Sequence, residues 1–200
     1  MLDAYFETEL QFIELSRIIP LDNTPDTYSP RLYEILQSSC GQVENLLHLL
    51  CDRLELEYEK KIFPCYYKTL NQTNILERQL ISISIGDYAY YPFKLDAGKE
   101  TPNWWAGYND TKHDLPQGYK QGNLGNTVVA LSGVYALHCM SVYAKTVGKD
   151  ILENSNWNEE DAMAINTLSP FRDPFAIDED YRPRSRIFYC MSYFRPLHGL

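Results

Sequence analysis

The chain has 200 residues, 44% hydrophobic and 22% charged, with a net charge of −9, which is enough for one globular domain with a core of moderate size. No stretch approaches the roughly 18 apolar residues of a membrane helix, and the acidic balance excludes a generally basic nucleic-acid-binding surface. The opening residues Met1 to Glu7 carry neither a basic nor an apolar run, so a protein without a secretory signal peptide, located in the cytoplasm, is expected.

The first element is expected to be a helix over about residues 3–18. Phe6, Leu10, Ile13 and Arg17 keep helical spacing, and Pro20 stops it. A loop follows to Pro30. Ser29 is an N-cap type, Pro30 suits the first helical position, and Glu34 places an acid in the early turns. The long helix opened there should run to about Tyr58. Its buried seam is Leu32, Ile35, Leu36, Ser39, Val43, Leu46, Leu47, Leu50 and Leu54.

Period-two alternation in Ile81-Ser82-Ile83-Ser84-Ile85, a turn at Gly86-Asp87 and the tyrosines of 88–91 predict a small β excursion near 81–91. A loop with Pro92, Gly98 and Pro102 leads to a short helix over Trp104 to His113, broken by the glycines at 118 and 122. A second long helix starts near Asn123. Its seam is Leu124, Val128, Leu131, Tyr135, His138 and Val142, and Gly148 is placed as its C-cap. The small residues Gly125, Ala130, Ser132, Gly133 and Ala136 on it would admit a close neighbour, which suggests a homodimer seam. After 149 a short helix near 158–166 and an irregular aromatic tail are expected. The tail's arginines, among them Arg182, Arg184 and Arg186, would pair with the acidic N-terminal helices while its aromatic rings cover the bundle. The whole reads as a single all-α domain over 1–200. It is a helical bundle built on two long antiparallel helices, with its core at about 28–147.

Five cysteines, Cys40, Cys51, Cys65, Cys139 and Cys190, form no CxxC pair. Reduced thiols, rather than a disulfide framework or a zinc site, are expected. No HExxH, GxGxxG, GxxxxGK[ST] or GxSxG occurs, so no metal or cofactor is expected. His138 reads as a satisfied core or interface histidine, His48 as solvated or at an interface, and His198 as close to a terminus.

The densest polar cluster is Tyr108-Asn109-Asp110-Thr111-Lys112-His113-Asp114. On a helix Asn109 and His113 share one face, and Tyr108 and Lys112 the neighbouring one. The imidazole of His113 could move protons near neutral pH. Lys112 could hold a phosphate. Trp104 and Trp105, two turns back, offer a stacking surface or core mass.

The helix opened by Tyr28-Ser29-Pro30-Arg31, the Trp-rich short helix and the long helix after it resemble the HEPN superfamily over residues 28–147. More specifically, the WW-x-x-YN-x-x-KH arrangement of Trp104 to His113 resembles uncharacterised bacterial and phage proteins related to that superfamily. Its members are small helical bundles, often dimeric, and many are RNases of toxin–antitoxin, abortive-infection and CRISPR systems. The family hallmark is an arginine, usually a polar residue, three variable residues and a histidine. Asn109 and His113 match the polar and histidine positions, while Tyr108 stands where the arginine would be. In the family, arginine and histidine from two subunits promote attack by the RNA 2′-hydroxyl. Tyrosine lacks the fixed charge and the bidentate phosphate contact of arginine. The resemblance therefore implies a non-catalytic or weakly catalytic RNA- or protein-binding module of prokaryotic defence. Its alternatives are a metal-independent endoribonuclease, with His113 and Asn109 catalytic, Lys112 as phosphate clamp and Tyr108, Trp104 and Trp105 against substrate, or a purely structural protein.

Overall fold

The computed structural model describes residues 2–21, 24–85, 88–113, 118–147 and 185–190. The expected helix near 158–166, the Gly148 cap, His198 and most of the arginine-rich tail lie outside them. Five helices dominate: α1 (Leu2–Ser16), α2 (Pro30–Arg53), α3 (Phe63–Leu70), α4 (Asn103–His113) and α5 (Leu124–Val147). Three short strands, β1 (Ile81–Ile83), β2 (Tyr88–Tyr90) and β3 (Phe188–Cys190), complete the order. The chain is mainly helical.

Helix α2 begins as its sequence demands. The Ser29 hydroxyl accepts from the Leu32 amide at 3.1 Å, and Pro30 occupies the first turn. Every residue of the expected seam is buried, Leu54 included. The helix stops at Arg53 rather than near 58. Glu55 takes a left-handed conformation (φ 51°), its N–H donates to Asp52, and Leu56 N–H reaches back to Cys51. These two bonds close the last turn as a Schellman motif without glycine.

Helix α1 buries Tyr5, Thr8, Glu9 and Phe12, one residue off the expected Phe6-Leu10-Ile13 line, whose members lie on its half-buried flank. The difference has a polar cause. Thr8 bonds to Ser38 at 3.0 Å, and Gln42 donates to Thr8 at 3.0 Å and to the Ala4 carbonyl at 3.4 Å. These bonds turn α1 toward α2 and make the two antiparallel.

The two long helices do not run antiparallel. Leu32 in the first turns of α2 accepts from Thr127 in the first turns of α5 at 3.2 Å, and Arg53 at the far end of α2 donates to Ser141 at 3.0 Å. Tyr28 and Asn123, just before the two helices, form an isolated β-bridge. The helices are therefore parallel. The antiparallel expectation holds where a short loop joins neighbours; here residues 54–123 intervene and return the chain to its starting end.

Helix α5 is the central strut, and all residues from Ala130 to Met140 are buried. Such a helix must be covered on every side. Tyr5 of α1, α2, α4 and Phe188 of β3 supply the cover. The small-residue seam is filled from within the chain. A Cβ on Gly133 would lie 3.3 Å from the Phe93 ring, and one on Gly125 would lie 3.4 Å from Pro25. The seam thus carries no argument for a second subunit.

Helix α3 has no counterpart in the expectations. Pro64 in its first turn and its eight residues hide the helical period. The Glu44 carboxylate of α2 accepts from its Phe63 amide at 3.0 Å and caps it. The β excursion is where the alternation places it, with Ile81 opposite Tyr90 and Ile83 opposite Tyr88. On its other edge β1 pairs antiparallel with β3, giving the order β2-β1-β3. Residues 185–190 of the C-terminal extension therefore belong to the folded body.

Candidate functional site

Helix α4 is fixed by its tryptophans. Trp104 and Trp105 are 2% and 3% exposed. Trp104 Nε1 donates to the Pro92 carbonyl at 2.6 Å, and Trp105 stacks on Phe63 with ring centroids 3.9 Å apart. Both are core. A substrate-stacking role would need an open ring face, so that expectation is corrected: the buried indoles anchor the helix.

Those residues form a short ledge. Tyr108 is half-buried, with its ring centroid 5.2 Å from that of Trp105. Lys112, one turn on, is exposed, and its Nζ stands 4.1 Å from the centre of the Tyr108 ring and 5.9 Å from that of Trp105. The ring faces attract the ammonium by about 0.5–1 kcal/mol at such a site. Tyr108 thus does not supply the charge that an arginine would bring to its position; it holds the charge of its neighbour. The ammonium also lies near enough to α2 to ease ionisation of the Cys40 thiol, although burial dominates and keeps that thiol's pKa well above its usual value.

Asn109 is half-buried beside Tyr108. His113 is the last residue of α4, one helical turn beyond Asn109. Its side chain lies outside the described part of the structure, as do residues 114–117. The ledge therefore brings together Tyr108, Lys112 and, on the next face, Asn109, with the His113 backbone at its end. Gly118 and Gly122, beyond residues 114–117, lie against other backbone. A Cβ on Gly118 would stand 2.6 Å from the Thr111 Cα, and one on Gly122 would stand 2.7 Å from the Tyr33 Cα. Close approach of backbones is what these glycines permit.

A second polar cluster was not foreseen. His48 is stacked on Tyr66 with centroids 5.1 Å apart, and its Nε2 lies 3.0 Å from the Tyr58 hydroxyl and 3.2 Å from Asp52. Tyr58 donates to Asp52 at 3.0 Å. Burial, and then the Asp52 carboxylate, raise the Tyr58 pKa. The His48–Asp52 spacing on α2 was the available signal, but the expected helix ran on to Tyr58; its end at Arg53 is what lets Tyr58 reach back to His48. The cluster pins residues 54–62 against α2.

His138 sits in the core as expected, its ring centroid 5.6 Å from that of Tyr5, but it is not satisfied: its buried Nε2 has no hydrogen-bond partner among the described residues. Burial lowers its pKa to about 4. Cys40, Cys51, Cys65 and Cys139 are free thiols, and burial pushes that of Cys51 up to about 12. Among the described residues, no three His, Cys, Asp or Glu side chains converge as a metal site, and no helix is long and apolar enough to cross a membrane.

No protein-family model matches the chain, and neither a curated protein nor a solved structure matches it.

Proposed function

We propose that the protein is a HEPN-like RNA-binding module without robust catalysis, acting in the cytoplasm in phage defence or a toxin–antitoxin pair. The observation that carries this reading is the Lys112 ammonium, held over the Tyr108 ring at 4.1 Å beside Asn109 on a helix anchored by two buried indoles. A cation on a rigid element suits a phosphate, and an amide one face away suits a base edge or the sugar–phosphate backbone. An ammonium is a compact point charge and makes no bidentate clamp. That difference from the family's arginine favours binding over turnover. The free thiols support a reducing compartment. A homodimer, the usual family state, would use a face other than the filled α5 seam.

Incubating the protein with total RNA in EDTA, beside His113→Ala and Lys112→Ala, tests this reading. Retention of RNA by the native protein, its loss in Lys112→Ala and no cleavage are the expected results. EDTA-resistant cleavage that disappears in His113→Ala would replace the reading with an active endoribonuclease. Absence of RNA binding would leave α4 as a protein-facing or purely structural element.

A further inference from the structure

Glu9 is out of place in the face it occupies. Its neighbours on α1, Tyr5 and Phe12, are fully buried, and so is Glu9 itself. A carboxylate taken out of water needs charge-assisted partners. The Tyr5 hydroxyl supplies one, at 2.8 Å, from the same helix. Among the described residues, its other partners come from near the far end of the chain. Ser185 donates its hydroxyl to Glu9 Oε1, and the Arg186 backbone N–H donates to Oε1 and Oε2 at 3.1 and 3.2 Å. The acid is met by the Arg186 backbone amide and not by its guanidinium, which stays exposed, so the expected arginine side-chain pairing is not what holds this segment; Arg182 and Arg184 lie outside the described residues.

The contact is built as a dock. Ser185 also accepts from the Ile187 and Phe188 amides at 3.2 and 2.7 Å, which folds residues 185–188 into a bend. The bend aims Ile187 and Phe188 inward, where they are 3% and 1% exposed. The Phe188 ring lies 5.9 Å from that of Tyr135 on α5. Strand β3 then adds to the edge of β1, and Ser84 N–H donates to the Ile187 carbonyl at 2.7 Å. The helical pairs α1–α2 and α2–α5 are complete without this segment, since none of their connecting hydrogen bonds involves it.

We infer that Glu9 and the edge of β1 away from β2 form a strand-docking site whose occupant is the chain's own segment 185–190, held as a detachable strap. The site recognises an extended segment by three features. A hydroxyl and a backbone amide meet the carboxylate, an aliphatic–aromatic pair fills the Tyr5–Tyr135 face, and a strand edge pairs with β1. Release of the strap opens that face while the helical body keeps its fold, a sub-global opening of the kind native proteins show. The inference is independent of the RNA reading.

Hydrogen exchange on the full chain tests it. In Ser185→Ala/Phe188→Ala the amides of Ser82 and Ser84, which face β3, should exchange at least about tenfold faster, as loss of a hydrogen bond to a charged group predicts, while interior amides of α2 and α5 keep native rates. Adding a synthetic peptide of residues 185–190 to that variant should restore slow exchange at Ser84. Ser185→Ala alone, a milder change, should give the same pattern with smaller amplitude. Unchanged exchange at Ser82 and Ser84, accelerated exchange of α2 and α5 together with them, or no rescue by the peptide would each overturn the strap.

Discussion

The two adjacent tryptophans of α4 do different work. Trp104 satisfies the Pro92 carbonyl through Nε1, whereas Trp105 Nε1 has no partner among the described residues and its ring stacks on Phe63. Removing one member of a buried hydrogen bond leaves the other unsatisfied, at about 1–3 kcal/mol. Trp104→Phe should therefore cost about 1–3 kcal/mol more than Trp105→Phe in denaturant unfolding; equal costs would contradict the assignment. His138 makes a second prediction. Its pKa lies near 4 in the folded protein against 6.5 for the free side chain, so between those pH values the unfolded chain binds the extra proton. Folding stability should fall as the pH drops from about 6.5 to 4, by about 3 kcal/mol from this group. In His138→Leu that share of the acid destabilisation should vanish, as urea unfolding at pH 7 and pH 4 would reveal. These roles were half legible: the sequence placed His138 in the core or at an interface but left the two indoles between a stacking surface and core mass, and only geometry shows which buried nitrogen is partnered.

At the scale of elements, what could be read was what local rules govern. The α2 seam and its Ser29 cap follow from spacing and from the chemistry of orphan amides. Helix α3 escaped because Pro64 and its short length break the pattern, and its cap, Glu44, lies on another helix. Strand β3 escaped because its partner lies about a hundred residues away in sequence. Gly118 and Gly122 were legible as breaks but not as points of close backbone approach. Gly122→Ala would drive a Cβ to 2.7 Å from the Tyr33 backbone. With backbone on the far side, the strain should reach about 1–3 kcal/mol or more. Gly41→Ala on α2, where a Cβ meets open space, should instead stabilise by roughly 0.5–1 kcal/mol. Thermal unfolding of the two variants should move in opposite directions.

At the scale of the whole molecule, the parallel course of α2 and α5 brings the Tyr28–Asn123 bridge and both helix starts to one end. The chain between them, carrying α3, the β1–β2 hairpin and α4, wraps the outside. Helix periodicity says which faces are apolar and nothing about direction, so the direction was not legible. The candidate ledge was legible as a cluster; its Tyr108–Lys112 pairing was not, because a cation over a ring depends on side-chain direction as much as on spacing. The α5 seam is filled by Phe93 and Pro25, so opening it cannot be what a dimer requires. Replacing Gly125 by Ala should therefore leave the mass measured by light scattering unchanged. The central claim is that the edge of α4 receives RNA, and it is met most directly by titrating isotope-labelled protein with single-stranded RNA and following its amide resonances. Shifts centred on Tyr108, Asn109, Lys112 and His113, and abolished by Lys112→Ala, are predicted. Shifts confined to another surface, or none at saturating RNA, would contradict it.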